Sequence, residues 1–432
     1  MEKKESPTIL LVNFHSACNA GDAALLECAI HQLKTSFSNP TFIVSANYPD
    51  EAFLQTLKVN VVPSFSAIVN QQKNPLGQVI SFVIGSILSL FISISPKMLD
   101  IGHGAFSNTW RRLWKAYQEA DLVVGCPGNQ FFSMGRFGFP FLLSAMSVLL
   151  AHAFRKPFYV MPQSIGPLKR AWERWLIKKL YGKARIIFVR DNITLDLARN
   201  IGLPSQKIRY APDLAFDYMD AELESNILPN AFQLHDLEYG AIGVTVIRKM
   251  TRTLLSEDIE HYYYAMAAAL KRMIQQYNMH VYFFPQVTGP TSWEDDRIAA
   301  KRVIQLMEGV QQKISLIEEP LTPQVLKFLY GYMDIFIAGR LHSGIFALGR
   351  GVPTLFIGYL TKTRGVTDSI GMNEWVLDFK NLSEHDLYSK IEELWLNRVS
   401  VKEHLLQKLP IIVHLVRTVG REIANDFIGG GG

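Results

Sequence analysis

The chain has 432 residues, of which 48% are hydrophobic and 19% charged, so it is too long for one ordinary core and too apolar to be disordered. Its 44 Lys and Arg against 39 Asp and Glu leave a formal charge of only +5, without a long basic run, which argues against a nucleic-acid partner. This mild excess favours small anionic substrates or an anionic membrane surface.

Strand-length apolar runs alternate with helical periodicity along nearly the whole chain, a pattern typical of parallel βαβ construction. The first half predicts strands at Ile9–Asn13, Phe42–Ala46, Val59–Pro63, Leu122–Gly125, Phe158–Pro162, Ile186–Arg190 and Ile208–Ala211. The second half predicts strands at Ala241–Ile247, His280–Pro285, Ile314–Ile317, Ile335–Ala338 and Thr354–Ile357. The predicted fold class is therefore α/β, with two Rossmann-like lobes built on parallel sheets.

A polar, irregular stretch at Asp220–Leu237 separates the two series of strands and is predicted to be the linker. The predicted domains are an N-terminal lobe at 1–228 and a C-terminal lobe at 239–382. Residues 383–427 are predicted to form helices that pack on the lobes.

An uncharged apolar segment, Val79–Ser95, lies within the first lobe. It falls just short of a typical bilayer span, and its serines favour a buried or interfacial helix over a true span. Membrane-surface association through this segment is kept as a second hypothesis.

The three cysteines, Cys18, Cys28 and Cys126, match neither a disulfide framework nor metal-ligand spacing. The first apolar run is only as long as a strand, so no signal peptide is evident. The predicted location is cytoplasmic, with attachment at the inner face of the membrane under the second hypothesis. No His, Asp and Glu cluster has ligand spacing, so no metal is predicted.

Ligands of parallel sheets gather beyond the carboxyl ends of the strands, where helix N-termini present free N–H groups. After the first strand, Asn19, Gly21 and Asp22 open a helix, with Asp22 in a position suited to an N-cap. Asn129 follows a strand in a glycine-rich turn, and Gln163 follows another. These polar groups could bind sugar hydroxyls or could form ordinary caps and turns.

The strongest cluster is Gly339-Arg340-Leu341-His342-Ser343-Gly344, which follows a buried strand. In an extended turn Arg340 and His342 face the same side, and Ser343 would open a helix suited to a phosphate or carboxylate. Arg190 ends another strand, where an anion or a salt bridge with Asp191 would satisfy it; we favour the ligand. Lys362 lies in the loop after the predicted strand Thr354–Ile357, where it either contacts the ligand or is a solvated loop charge.

In this order the segments resemble the polysaccharide pyruvyl transferase family. The resemblance is carried by Asn19–Asp22, Pro162–Pro167, Val189–Asp191, Ala211–Asp213 and Gly339–Ser343, and it covers most of residues 8–375. It implies an architecture like that of GT-B-like glycosyltransferases, with a ligand cleft between the lobes. It also implies phosphoenolpyruvate as co-substrate, without a further cofactor, and a saccharide or lipid-linked saccharide as acceptor.

The same resemblance implies that a pyruvate ketal forms on a sugar diol and that phosphate is released. Arg190, Arg340 and His342 match the family's donor-binding and catalytic positions, whereas Lys362 matches less securely because its surroundings diverge. Asn19, Gly21, Asp22, Asn129 and Gln163 remain the acceptor candidates. The general base, the acceptor sugar and the oligomeric state are not indicated.

Two other readings stay open. A nucleotide-sugar glycosyltransferase could use the same Arg and His groups to hold a diphosphate. A non-catalytic glycan-assembly partner could use Val79–Ser95 as its contact surface, although the intact Arg340 and His342 favour an enzyme.

Overall fold

The computed structural model describes residues 6–95, 99, 106–135, 137–218, 228–233, 239–248, 256–358 and 361–429. The chain divides into two units. Unit 1 consists of residues 1–17, 25–214 and 415–432, and unit 2 consists of residues 18–24 and 215–414.

Unit 1 is built on an eight-stranded parallel sheet. Its main path runs β3-β2-β1-β4-β6-β7-β8, and β5 pairs with β6. The strands are β1 Thr8–Phe14, β2 Thr41–Ala46, β3 Asn60–Pro63, β4 Leu122–Gly125, β5 Gly128–Phe131, β6 Phe158–Ile165, β7 Ile187–Val189 and β8 Ile208–Tyr210.

Helices alternate with these strands along the sequence. They are α1 Ala20–Ser36, α2 Ala52–Thr56, α3 Phe65–Asn70, α4 Pro75–Ile94, α5 Asn108–Glu119, α6 Phe139–Ala153, α7 Ala171–Tyr181 and α8 Asn192–Asn200. Helix α1 begins in the 18–24 segment that groups with unit 2 and continues into unit 1.

Unit 2 has a six-stranded parallel sheet in the order β11-β10-β9-β12-β13-β14. This is the 3-2-1-4-5-6 strand order of a Rossmann fold. The strands are β9 Ala241–Thr245, β10 His280–Phe283, β11 Ile314–Leu316, β12 Ile335–Ala338, β13 Thr354–Gly358 and β14 Val376–Asp378.

The helices that follow α8 in the described residues are α9 Ser256–Tyr277, α10 Asp296–Leu306, α11 Pro323–Tyr330, α12 Leu341–Gly349, α13 Thr361–Ser369, α14 Glu384–Leu396, α15 Arg398–Val416 and α16 Val419–Gly429. Helix α16 groups with unit 1, whereas α14 and most of α15 group with unit 2.

The central strands are buried along their whole length. All eight residues of β6 and all five of β9 are buried. The sequences of parallel strands that are covered on both faces are continuous apolar runs. This is why the strand signal was visible in the sequence.

Helix α4 differs from the other helices because its outward side is apolar. Gly85, Ser89 and Ile92 are buried on its inner side. Its outer side exposes Leu76, Val79, Ile80, Val83, Ile84, Ile87, Leu90, Phe91 and Ile94. Among the described residues, α4 is the one helix whose length and composition would suffice to cross a membrane.

The predicted fold class is confirmed, since two parallel sheets alternate with helices. The twelve predicted strands are present with small changes at their ends, and β5 and β14 were not predicted. Most of the predicted linker, Asp220–Leu237, lies outside the described residues. The units change at Leu214/Ala215, earlier than the predicted boundary at 228, and segment 18–24 joins unit 2.

Candidate functional site

Three neighbouring strands of unit 2, β10, β9 and β12, end at the same edge of the sheet. Thr245 is the last residue of β9, Gln286 follows β10, and Gly339 and Arg340 follow β12. Polar side chains therefore collect at the carboxyl edge of the sheet, where open α/β sheets bind ligands.

The hydroxyl of Thr245 organises the turn after β12. Its Oγ1 accepts the N–H groups of Gly339 at 3.1 Å and Arg340 at 3.4 Å, and it lies 2.7 Å from Ser343 Oγ. Ser343 Oγ donates to the carbonyl of Arg340 at 2.7 Å, so Thr245 donates its proton to Ser343. This chain of hydrogen bonds fixes the point at which α12 begins.

Helix α12 begins at Leu341, with Arg340 as its N-cap residue. Ser343 was predicted to open the helix, but it lies in the first turn because Thr245 holds it there. His342 therefore occupies a helical turn and not the extended turn that the sequence suggested. The side chain of the N-cap residue Arg340 makes no capping hydrogen bond to α12, and a helix N-terminus favours an anion.

The Arg340 guanidinium forms an ion pair with Asp296, the first residue of α10. Nε donates to both carboxylate oxygens at 3.2 Å, and Nη2 donates to Oδ1 at 2.7 Å. Asp296 also accepts the backbone N–H of Val287 at 3.0 Å. Burial raises the pKa of Asp296, and the Arg340 guanidinium counteracts the rise. The pair fixes the direction of the Arg340 side chain.

His342 packs against the backbone of Gly21 within unit 2. A Cβ atom added to Gly21 would lie 2.2 Å from Nδ1 of His342 and 2.6 Å from its Cβ, too close for any side chain. The sequence suggested Gly21 as an acceptor residue, and the structure places it beside the candidate catalytic imidazole.

Backbone contacts hold segment 18–24 in this position. The N–H of Ala20 donates to the carbonyl of Gln286, and the N–H of Thr288 donates to that of Cys18, at 3.0 and 2.9 Å. Asn19 forms an antiparallel bridge with Val287, and its side chain accepts the N–H of Gly21. Asn19, and not Asp22, therefore provides the side-chain bond at the start of α1; Asp22 lies in the first turn, partly exposed.

Gln286 lies buried at the same edge, 1% exposed. Its Oε1 accepts the Tyr330 hydroxyl at 2.9 Å. Its Nε2 is buried without a hydrogen-bond partner among the described residues. Buried polar atoms are nearly always satisfied in folded proteins, so this amide is a donor that still lacks an acceptor near the same sheet edge.

In unit 1, two predicted acceptor residues lie on adjacent strands. Asn129 is in β5 and Gln163 in β6, where Gly128 pairs with Gln163. The carbonyl oxygens of both side chains are buried without a partner among the described residues, as is that of Gln130. Gln163 Nε2 donates to the Tyr181 hydroxyl, which orients its free oxygen.

Arg190 is enclosed in unit 1, with its side chain 1% exposed. It pairs with Asp213 and donates from Nε to Ser164 Oγ at 2.8 Å. Asp191, the salt-bridge partner weighed from sequence, instead caps α8 and accepts from Ser164. The contact of Arg190 with a ligand stays a prediction.

Lys362 is the second residue of α13, and its side chain lies outside the described part of the structure. Among the described residues, no group of three His, Cys, Asp or Glu side chains could hold a metal ion.

Sequence reasoning missed Thr245 and Asp296. The only signal for Asp296 was the pair Asp295-Asp296, which resembles the ordinary acidic start of a helix. Thr245 is a threonine in an apolar strand, and nothing in its local sequence marks it. Both become visible only when β9, β12 and α10 are placed side by side.

Comparison with solved structures identifies the class of fold. The chain superposes on UDP-GlcNAc 2-epimerase from Neisseria meningitidis with a TM-score of 0.62 and 12% identity, covering 98% of this chain and 100% of that one. It superposes on a glycosyltransferase from Rickettsia africae with a TM-score of 0.58 and 13% identity, covering 98% and 99%. The architecture is therefore that of GT-B-like glycosyltransferases and epimerases.

The sequence narrows this class to one family. Residues 19–361 match the model of the polysaccharide pyruvyl transferases, and the chain belongs to this family of transferases. A similar protein is the amylovoran biosynthesis protein AmsJ of Erwinia amylovora, 24% identical over 97% of this chain and 99% of that protein. The family resemblance predicted from the motifs is confirmed.

Proposed function

We propose that this protein transfers the pyruvyl group of phosphoenolpyruvate to two hydroxyls of a sugar, forming a pyruvate ketal during synthesis of a surface polysaccharide. Family membership supports pyruvyl transfer. The name of the Erwinia relative supports a role in making an exopolysaccharide.

The arrangement of Arg340 and His342 at the start of α12 carries the proposal. Phosphoenolpyruvate has a carboxylate and a phosphate, and both suit a helix N-terminus with an adjacent guanidinium. Asp296 holds Arg340 in one orientation, while Gly21 and the backbone of α12 hold His342. A cation and an imidazole fixed beside one helix N-terminus support recognition of a small donor that carries two anionic groups.

In the proposed reaction both sugar hydroxyls add to one carbon of phosphoenolpyruvate, and phosphate leaves. His342 protonates the methylene carbon of phosphoenolpyruvate, and one sugar hydroxyl adds to the neighbouring carbon and loses its proton. The C–O bond to phosphate breaks, and the second hydroxyl adds to the same carbon. One hydroxyl proton ends on the new methyl group and the other on the released phosphate.

On the acceptor side, the unpartnered oxygens of Asn129 and Gln163 support binding of hydroxyl groups. Both oxygens are buried hydrogen-bond acceptors, and their residues lie on the adjacent strands β5 and β6 of unit 1. A sugar hydroxyl would supply the missing donor. We assign these two side chains to the acceptor saccharide.

A phosphate-release assay with phosphoenolpyruvate tests the proposal, using a panel of galactosides, mannosides and glucosides as acceptors. We expect release that depends on one acceptor class, and His342→Ala to lower it by roughly 100-fold or more, as for loss of a general acid. His385→Ala, on the exposed start of α14, is the matched control and should keep full activity. Unchanged release from the His342 variant would remove this residue from the mechanism.

A further inference from the structure

The outward face of α4 presents an apolar surface that the rest of unit 1 does not cover. Nine large apolar side chains between Leu76 and Ile94 are 47–75% exposed. The helix is twenty residues long and contains no charged residue. Contiguous exposed apolar patches of this kind mark interaction sites in soluble proteins.

The inner face of α4 is fixed to the protein, so the apolar face cannot rotate inward. Gly85 packs so closely on Trp110 that an added Cβ would lie 2.3 Å from its ring. Trp114 Nε1 donates to Ser89 Oγ at 2.8 Å, and this bond is buried. The helix is therefore held against α5 with its apolar side outward.

The charges around α4 have one predominant sign. Between residues 65 and 119 the basic residues are Lys73, Lys97, Arg111, Arg112 and Lys115, and the acidic residues are Asp100 and Glu119. Glu119 pairs with Lys115 at 3.5 Å, so the other four basic residues face one other acidic residue, Asp100, in this stretch of sequence. Lys73 lies just before the N-cap residue Asn74 and is exposed, as is Arg112 on the neighbouring helix α5. An apolar face with a basic surround is complementary to an anionic lipid surface.

We propose that α4 is an interfacial helix that lies in the headgroup–acyl boundary of an anionic bilayer. A true span would require the helix to leave Trp110 and Trp114, which bind its inner face. A helical pair with a second copy would call for charged residues beside the apolar stripe to set the pairing, and α4 has none. The bilayer needs no such partner charges.

Attachment of α4 to a bilayer would also affect which acceptor the protein can reach. A protein held at a lipid surface is suited to an acceptor saccharide carried on a membrane lipid. Only that consequence rests on the proposed pyruvyl transfer, since binding to lipid needs neither substrate. The two ideas can therefore fail separately.

Flotation of the full chain with vesicles tests the proposal, using phosphatidylcholine alone and phosphatidylcholine with phosphatidylglycerol. We expect the chain to float with the anionic vesicles and salt to weaken the binding. The triple variant Ile84→Gln, Ile87→Gln, Phe91→Gln should lower vesicle binding by roughly tenfold or more, because three inserted apolar side chains are lost.

The matched control replaces three apolar side chains of unit 2 with similar exposure, Leu396→Gln, Val399→Gln and Ile411→Gln. It should float like the parent chain. Phosphate release with a water-soluble saccharide should be equal in both triple variants, which separates lipid binding from catalysis.

Three results would overturn the membrane assignment. The first is the absence of flotation with the anionic vesicles, and the second is flotation of the α4 variant equal to that of the parent chain. The third is a dimer in solution that the α4 variant converts to monomer while vesicle binding is absent, which would make a second copy the occupant.

Discussion

At the scale of single residues, the candidate site depends on groups that hold Arg340 and His342 in place. Asp296 orients Arg340, Thr245 fixes the start of α12, and Gly21 borders His342. None of these three was assigned such a role from the sequence. Their roles come from contacts between segments that are far apart in the chain.

Gly21→Ala tests the contact with His342. The new methyl group would overlap both the ring and the Cβ of His342, so the whole side chain must move. We expect turnover to fall by roughly 100-fold, the usual effect of misplacing a catalytic group by about 1 Å. The measurement is kcat for phosphate release, together with a circular dichroism spectrum to confirm folding.

Gly429→Ala provides the control for this change. An added Cβ there meets nothing within 4 Å, and the residue ends α16. Normal activity in both glycine variants would show that His342 does not need its present position.

At the scale of elements, α4 is fixed by a small number of polar contacts beneath an apolar surface. Ser89 accepts from Trp114 and donates to the carbonyl of Gly85 at 2.6 Å. The sequence showed the apolar segment and its serines but not which serine faces inward. Ser89 is buried beside α5, whereas Ser93, one turn later in the last turn of α4, is partly exposed and bonds the carbonyl of Leu90.

Ser89→Ala should destabilise the protein, because it leaves the indole N–H of Trp114 buried without a partner. The expected loss is about 1–3 kcal/mol in the free energy of unfolding. Ser93→Ala removes a hydroxyl that bonds the carbonyl of Leu90 in an exposed position, and we expect almost no change. Urea denaturation of both variants gives the comparison, and equal stabilities would contradict the role of Ser89.

At the scale of the whole molecule, each unit is a parallel sheet with helices between its strands. GT-B-like enzymes of this architecture include proteins solved with UDP-sugars, such as the Neisseria epimerase bound to UDP-GlcNAc. The fold alone therefore does not identify the donor. We propose phosphoenolpyruvate, and ligand binding to the intact chain can separate it from a nucleotide sugar.

Phosphoenolpyruvate should raise the melting temperature of the full chain. A ligand that binds only the folded state at 100 times its Kd adds about 2.7 kcal/mol of stability. UDP-GlcNAc at the same concentration should add none, and inorganic phosphate controls for ionic effects. Stabilisation by UDP-GlcNAc without stabilisation by phosphoenolpyruvate would favour the nucleotide-sugar alternative.

The strands could be predicted because their signal is local. A strand of a parallel sheet covered on both sides is an apolar run, and twelve such runs were read correctly. Strand β5, with the sequence Gly-Asn-Gln-Phe, has no such run and exists because it pairs with β6. Strand β14 has only three residues and forms along β13.

The sequence by itself determined the fold class, the family and the chemical identity of the residues at the strand ends. Only the tertiary structure decided their partners: Asp213 for Arg190, Asp296 for Arg340 and Gly21 for His342. Strand and helix signals arise from neighbours in the chain, whereas these contacts join residues from separate strands and helices. Which atoms meet at the edge of a sheet follows from strand order and register, and one sequence does not display either.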